Sequence, residues 1–302
     1  MPSSRLTFPL VQRRRIVGLS FGGMRSVRRG RGSDVAGSRP YVPGDDVAAI
    51  DWAASAKLSL ARGVDEFIVR ERFADEAPRL VVVCDRRPAM ALFPPPYPWL
   101  RKPEAVATAI KLISDSGLAA RAFIGYLDHA DGDAFWRPPR SQKELDEHDG
   151  RPFGASDDTL ARSLRHLVEH RRDLPPGTFV FVLSDFLVMP DDDTWMRAVE
   201  RRWDLVPVVV QDPTWEQSFP TIDGIVVPFV DPRTGRAAYA ELSAAEVAER
   251  RAANEERLRR IVATLQRLHA DPVLLSSGNP GEAIDAFLGW ADRRFSTRGG
   301  VR

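Results

Sequence analysis

Residues 79–87 read Arg79-Leu80-Val81-Val82-Val83-Cys84-Asp85-Arg86-Arg87, five apolar side chains running straight into a carboxylate and two guanidinium groups. An unbroken apolar run rich in β-branched residues has the pattern of a strand buried on both faces, as in a parallel sheet covered by helices on either side. A second such run, Thr178–Leu183, ends in Ser184-Asp185, and a third spans Leu205–Val210. Helical spacing of apolar residues predicts helices at roughly 101–117, 192–202, 243–269 and 282–294. Another runs to about Arg172, with Asp157 or Asp158 as its cap and Leu160, Leu164, Leu167 and Val168 on one face. Arg121–Leu127 and Val273–Leu275 read as strands, Ile225–Phe229 as an edge strand, and Asp231–Gly235 as a turn. Residues 128–156 are polar and rich in Pro and Gly and read as a long loop. Alternating apolar strands and helices make residues 79–302 a doubly wound, mostly parallel α/β sheet flanked by helices. Sites in such sheets lie beyond the carboxyl ends of central strands, and Asp85 and Asp185 both stand there.

The chain upstream has a different texture. Residues 16–76 read as short strands and turns, punctuated by six glycines between Gly18 and Gly37 and by the turn pair Pro43-Gly44. Arg62-Gly63 fits a hairpin tip before an alternating strand Val64 to Arg70. The expected organisation is therefore a small β-rich domain over residues 1–78, carrying a basic arm, followed by the α/β domain over 79–302.

Composition excludes several classes. At 302 residues, 43% hydrophobic and 28% charged, the chain has the make-up of a soluble globular protein. No window approaches the roughly 18–20 apolar residues that cross a membrane. Arg13, Arg14 and Arg15 are followed by no apolar segment, so no signal peptide is read. The single cysteine, Cys84, fits a reducing compartment, and a cytoplasmic location is expected. Charge is uneven. Nine arginines and one acid, Asp34, give residues 1–40 a formal charge of +8, and the net +1 leaves the remainder at −7. Such an arm meets nucleic acid, an anionic membrane or an acidic protein, or folds back onto its own acidic body. Nucleic acid is not the expected partner.

Several motifs occur in a recognisable order: Gly18-Leu-Ser, Gly30-Arg-Gly-Ser-Asp34, Arg39-Pro-Tyr41, Pro43-Gly44-Asp45-Asp46, Ile50-Asp51-Trp52, Ser55-Ala-Lys57, Glu71 with Glu76, and the strand ending at Asp85. Ser184-Asp185-Phe186, Asp231 with Gly235, and Phe287 with Arg293-Arg294 continue it. On these residues the chain resembles the bacterial "domain of unknown function 58" family over nearly its whole length. Members of that family resemble von Willebrand factor A (vWA) domains in their second half and are commonly encoded beside MoxR-type AAA+ ATPases. The resemblance implies a protein-interaction or adaptor module, not an enzyme. Its expected partners are a MoxR-type ATPase and an unidentified client protein.

The vWA resemblance also implies a place for a metal-ion-dependent adhesion site. There, hydroxyls and a few carboxylates give Mg²⁺ its oxygen shell and leave one position for a partner's carboxylate. Asp85 matches the first acidic position and Asp185 the last. The two serine positions are Arg87 and Ala89, neither an oxygen ligand, and Asp158 falls at the threonine position with Thr159 beside it. Arginine is permanently charged and its donor fork suits carboxylates. The expectation is a degenerate, metal-free site in which Arg86 or Arg87 takes the cation's place against Asp85, Asp158 or Asp185. One alternative is a retained Mg²⁺ on Asp85, Asp158 and Asp185. Another has both arginines in solvent and the acids capping helices. No cofactor is expected.

Other constellations read as structure. Asp45, Asp46 and Asp51 lock the small domain, with Asp45 or Asp51 binding turn amides or Arg39, and Tyr41 and Trp52 are read as core or inter-domain packing in preference to a ligand platform. Gly30, Gly32 and Gly37 lack the Gly-Lys-Ser/Thr ending of a phosphate loop. His166 and His170 form a helical pair without the further ligands a zinc site needs. An aspartate-based phosphohydrolase is the less favoured reading, because Asp85-Arg86-Arg87 lacks a second carboxylate for the general acid.

Overall fold

The computed structural model describes residues 5–13, 35–43, 45, 47–63, 66–72, 77–92, 99–222, 224 and 226–299. Two compact units result: residues 14–78, and residues 1–13 together with 79–302.

In the small unit, β1 (Val35–Pro40), α1 (Trp52–Arg62) and β2 (Ile68–Arg72) follow in order. β1 and β2 pair antiparallel, with Arg39 opposite Val69, and Ile50 bridges to Val69. The helix corrects the expectation of strands and turns here. Residues 52–62 are mostly Ala, Leu, Lys and Arg, good helix formers. Asp51 caps the start by accepting from the Ala54 N–H at 3.1 Å. Gly63, at φ +69°, closes the end as a left-handed cap and is no hairpin tip. The Ser55 hydroxyl donates to the Asp51 carbonyl at 2.7 Å and accepts from Ile68 N–H at 2.8 Å, pinning helix to strand.

The large unit is built on a six-stranded sheet. Its elements are β3 (Arg79–Cys84), α2 (Lys102–Ala119), β4 (Phe123–Asp128), β5 (Phe135–Ser141), α3 (Thr159–Glu169), β6 (Phe179–Ser184), α4 (Asp192–Glu200) and β7 (Asp204–Val210). Then come β8 (Val226–Val230), β9 (Ala237–Glu241), α5 (Ala244–Arg267), β10 (Val273–Leu275) and α6 (Pro280–Gly299). The strand order is β10-β7-β6-β3-β4-β5, parallel except for the antiparallel β4–β5 pair. From β3 the chain moves to β4 on one side and later to β6 on the other, so the order reverses between β3 and β6. Asp85 and Asp185 leave the sheet at that switch point.

Alternation along the strands assigns the faces. Val81 and Val83 join Val180, Val182 and Val209 in a core with Leu160 and Leu164 of α3, Trp195 of α4 and Ile261 and Leu265 of α5. On the other side Gly117 of α2 approaches so closely that a Cβ there would lie 2.5 Å from Leu80 Cδ2. The N-terminal segment completes this second face. Phe8 stacks on Phe287 at 4.5 Å and meets Trp290 and Phe181 edge-on, while its N–H donates to Ser116 Oγ at 3.0 Å. The first thirteen residues thus group with the α/β unit and not with residues 14–78. Of the arm's arginines, Arg5 lies 3.7 Å from Asp115 and Arg13 3.6 Å from Asp271, so these two fold back onto acids of the large unit.

Three further expectations change. The expected loop 128–156 contains the edge strand β5, hidden in the sequence by Pro138-Pro139, which an edge tolerates. It is accommodated by Gly125, where a Cβ would sit 2.7 Å from the Arg137 carbonyl oxygen. The strand near 225–229 is not an edge of the main sheet; β8 pairs with β9 in a separate antiparallel hairpin packed on α5 through Val227, Leu242 and Val247. α3 ends at Glu169 and is followed by a single 3-10 turn, Arg171–Asp173.

Candidate functional site

The two core strands deliver their carboxylates side by side. Asp85 continues β3, its N–H donating to the Leu183 carbonyl at 2.9 Å, and both Asp85 and Asp185 are fully buried. Arg87 lies between them. Its Nη2 donates to Asp85 Oδ2 and to Asp185 Oδ1, both at 2.6 Å, and its Nε reaches the two Asp85 oxygens at 3.0 and 3.2 Å. The Arg87 N–H also donates to Asp85 Oδ1 at 2.9 Å, and Ser184 Oγ donates to Asp85 Oδ2 at 2.6 Å. Both Asp85 oxygens are therefore engaged. Only 3% of Arg87 is exposed, so these are bonds in a low-dielectric interior.

A second cation stands behind Asp185. Lys102, the first residue of α2 and fully buried, donates to Asp185 Oδ2 at 3.3 Å, to Glu216 Oε1 at 2.5 Å and to the Ala89 carbonyl at 3.2 Å. Glu216 also accepts from the Asp212 N–H, and Gln211 donates to the Asp185 carbonyl. Burial works to raise the Asp185 pKa, but Lys102 and Arg87 outweigh it and hold the carboxyl below its usual range. Burial raises Glu216 instead, against the pull of Lys102. The same two aspartates keep Arg87 charged despite its burial. The chain leaves Asp185 through Phe186, a buried residue at φ 55°, a left-handed conformation that costs a bulky side chain about 1–3 kcal/mol. Ser184 Oγ holds the Phe186 N–H at 3.0 Å, and Asp185 Oδ1 holds the Leu187 N–H at 2.9 Å.

Arg86 turns the other way. It reaches Asp128 at 3.3 Å and the Tyr126 hydroxyl at 2.8 Å, with Arg151 closing on Asp128 at 2.7 Å and Phe153 beside the guanidinium at 4.9 Å. Burial pushes the neighbouring Cys84 thiol up to about 11, so it is an inert packing thiol.

The positions singled out in the sequence thus separate. Asp85, Arg87 and Asp185 meet; Arg86 belongs to a neighbouring cluster. Ala89 contributes only its carbonyl. Asp158 is displaced from the site: its side chain is 57% exposed and accepts from Ser156 Oγ at 2.5 Å, while Thr159 beside it is buried. An exposed carboxylate at the head of α3 keeps its solvation, which a buried one loses. Among the described residues no group of three His, Cys, Asp or Glu is disposed to hold a metal ion. His166 and His170 stack at 4.0 Å beside Trp136.

In the small unit Asp45 takes a bidentate bond from Arg39 at 2.6 Å and the Val42 N–H at 2.9 Å; the Arg39 bond lowers its pKa to about 2. Tyr41 donates its N–H to the Phe67 carbonyl at 2.8 Å. Trp52 is not a core residue: it is 60% exposed and meets Phe67 edge-on at 5.9 Å. Gly44 and Asp46 lie outside the described residues.

Lys102 and Glu216 complete the site without having been singled out, and Ser184, read only as part of the Ser184-Asp185-Phe186 motif, joins them. The signal for Lys102 was its place at the head of a helix whose residues 105–117 are apolar or small on most sides, which buries the helix start. Glu216 gives no such signal, because the loop that carries it follows β7 and meets α2 only in the fold.

No curated protein matches the chain. Among solved structures it is similar to the conserved hypothetical protein BatB from Bacteroides thetaiotaomicron, with 14% identity and a TM-score of 0.40, over 73% of this chain and 100% of that one. An aerotolerance-related membrane protein from Bacteroides fragilis, crystallised with multiple mutations to serines, gives 14% identity and a TM-score of 0.39 over 72% of this chain and 100% of that one. The family model described as "Protein of unknown function DUF58" matches residues 37–260, a span that takes in the Arg39–Asp45 lock, β3 with Asp85 and Arg87, and β6 with Asp185, and the chain belongs to that family.

Proposed function

We propose that this protein is a non-enzymatic, vWA-like interaction module in which a buried arginine has replaced the metal of an adhesion site, and that it works as an adaptor with a MoxR-type AAA+ ATPase. The observation that carries this reading is Arg87 Nη2 at 2.6 Å from both Asp85 and Asp185. A divalent cation bridging the two carboxylates would need the volume and the lone pairs that the guanidinium already takes. Ser184 and Lys102 fill further directions around the same acids. A nucleophilic aspartate needs a free oxygen lone pair facing a substrate, whereas both Asp85 oxygens are bonded and buried, which supports a non-catalytic role. Such a site is held closed without a cation, and that suits a partner gated by its own nucleotide state. The ATPase itself is inferred from the family resemblance.

The test is co-purification of the full chain with a co-encoded MoxR-type ATPase in the ATP, ADP and nucleotide-free states. Retention in at least one state, unchanged by chelator, is expected. No retention in any state, or retention abolished by chelator, would overturn the reading.

A further inference from the structure

A cleft of about 480 Å³ opens at the β10 edge of the sheet, between α5 and α6, on elements the proposed function does not use. Arg13, Arg293 and Arg294 line it. Arg294 is 3% exposed and lies over the Trp290 ring at 4.4 Å. Its Nη1 is satisfied by the Val11 carbonyl at 2.8 Å and Asp204 at 2.9 Å. Its Nε lies 3.2 Å from Asp271 and that of Arg13 3.6 Å from the same carboxylate, but Nη2 of Arg294 and Nη1 of Arg13 meet no acceptor among the described residues. A buried donor left unmade costs more than a made bond gains, so two of them in one wall mark a place where an acceptor belongs.

We infer that this cleft binds a monocarboxylate with an apolar body. A guanidinium fork is the donor geometry that a carboxylate accepts. Phosphate is disfavoured by charge: Asp271 and Asp285 line the cleft and Asp204 lies behind it, so three acids already balance the three arginines and a dianion would add twice the unbalanced charge of a monocarboxylate. Val262, Leu274 and Ala286 give the wall an apolar stretch beside Gln266 and Thr297, and Leu274 of β10 is 40% exposed. The volume is that of a small-ligand site, roughly 300–1,000 Å³. Both unmet nitrogens are buried in the wall. The Arg13 side chain, 33% exposed and 3.6 Å from Asp271, is the part that turns to admit the carboxylate, a fast motion for a partly exposed long side chain. The same chemistry comes from a free organic acid or from the C-terminal carboxylate of a peptide.

Calorimetric titration of the full chain distinguishes the sources, with octanoate against octanamide, and acetyl-Val-Leu with a free against an amidated terminus. At least one carboxylate should bind saturably, its amide about tenfold or more weaker. Octanoate alone would identify a free acid, the dipeptide alone a peptide terminus. Arg13→Gln and Leu274→Glu should each weaken that binding about tenfold without lowering the melting temperature. No saturable binding by either carboxylate, equal binding by the amides, or binding unchanged in both variants would overturn the proposal. None of these outcomes depends on metal or ATPase binding, so failure here leaves the proposed function standing.

Discussion

Arg87 Nη2 donates to Asp185 Oδ1 at 2.6 Å across 98 residues of sequence, joining the ends of two neighbouring parallel strands. Removing the arginine leaves Asp85 and Asp185 buried together with only Lys102 to offset them. Arg87→Ala should therefore destabilise the protein by about 3–5 kcal/mol, because an uncompensated buried charge costs far more than the pair contributes. Urea unfolding measures it, and a loss below about 1 kcal/mol, the scale of a surface pair, would mean that the pair is solvated.

Arg86 sets the contrast. Asp128 keeps Arg151 at 2.7 Å, the Tyr126 hydroxyl at 2.7 Å and the Ala130 N–H when Arg86 is lost. Arg86→Met should cost about 1–3 kcal/mol, less than Arg87→Ala under the same conditions. The opposite ranking would place the essential cation at Arg86.

Acid unfolding should carry the signature of Asp185. Its folded pKa lies below the unfolded value of about 3.9, so its contribution is present above that pH and is lost as pH falls through the folded value. Glu216 has the opposite sign: its folded pKa is raised by burial, so it works against stability as pH rises past about 4.3. Stability followed from pH 6 to 2 should fall less steeply below about pH 4 in Asp185→Asn than in the parent chain. An identical acid limb in the two would remove Asp185 from the ion-pair cluster.

Gly125 is required by the edge strand. A Cβ at this position would lie 2.7 Å from the Arg137 carbonyl oxygen and 2.9 Å from Pro139 N, both backbone atoms that yield only if β5 moves. Gly125→Ala should cost about 1–3 kcal/mol and speed amide exchange across residues 135–141, read by hydrogen–deuterium exchange. Unchanged exchange there would show that β5 does not depend on this approach.

Sequence and structure agree where one residue's chemistry decides the outcome. The run Leu80–Cys84 is buried on both faces, and Asp85 and Asp185 stand at the strand ends that the apolar runs pointed to. Arg87 carries a fork suited to carboxylates two residues after Asp85, and that chemistry is legible in a single chain. Glu216 was not, because a glutamate in a loop ordinarily sits in water and only packing buries it, while Lys102 gave only the indirect signal of standing at the head of a largely apolar helix. α1 was hidden by the glycine and proline signals around it, although the Asp51 cap and Gly63 stop were both in place. β5 was hidden by prolines that forbid a central strand but not an edge. Asp158 illustrates the limit of alignment by motif, since one step along the chain separates an exposed acid from the buried Thr159.

Titration of Mg²⁺ and Mn²⁺ into the full chain by calorimetry tests whether Arg87 has taken the place of a metal between Asp85 and Asp185. No saturable heat is expected at micromolar concentrations, in the parent chain or in Asp85→Ala. Micromolar binding in the parent chain that Asp85→Ala abolishes would contradict it.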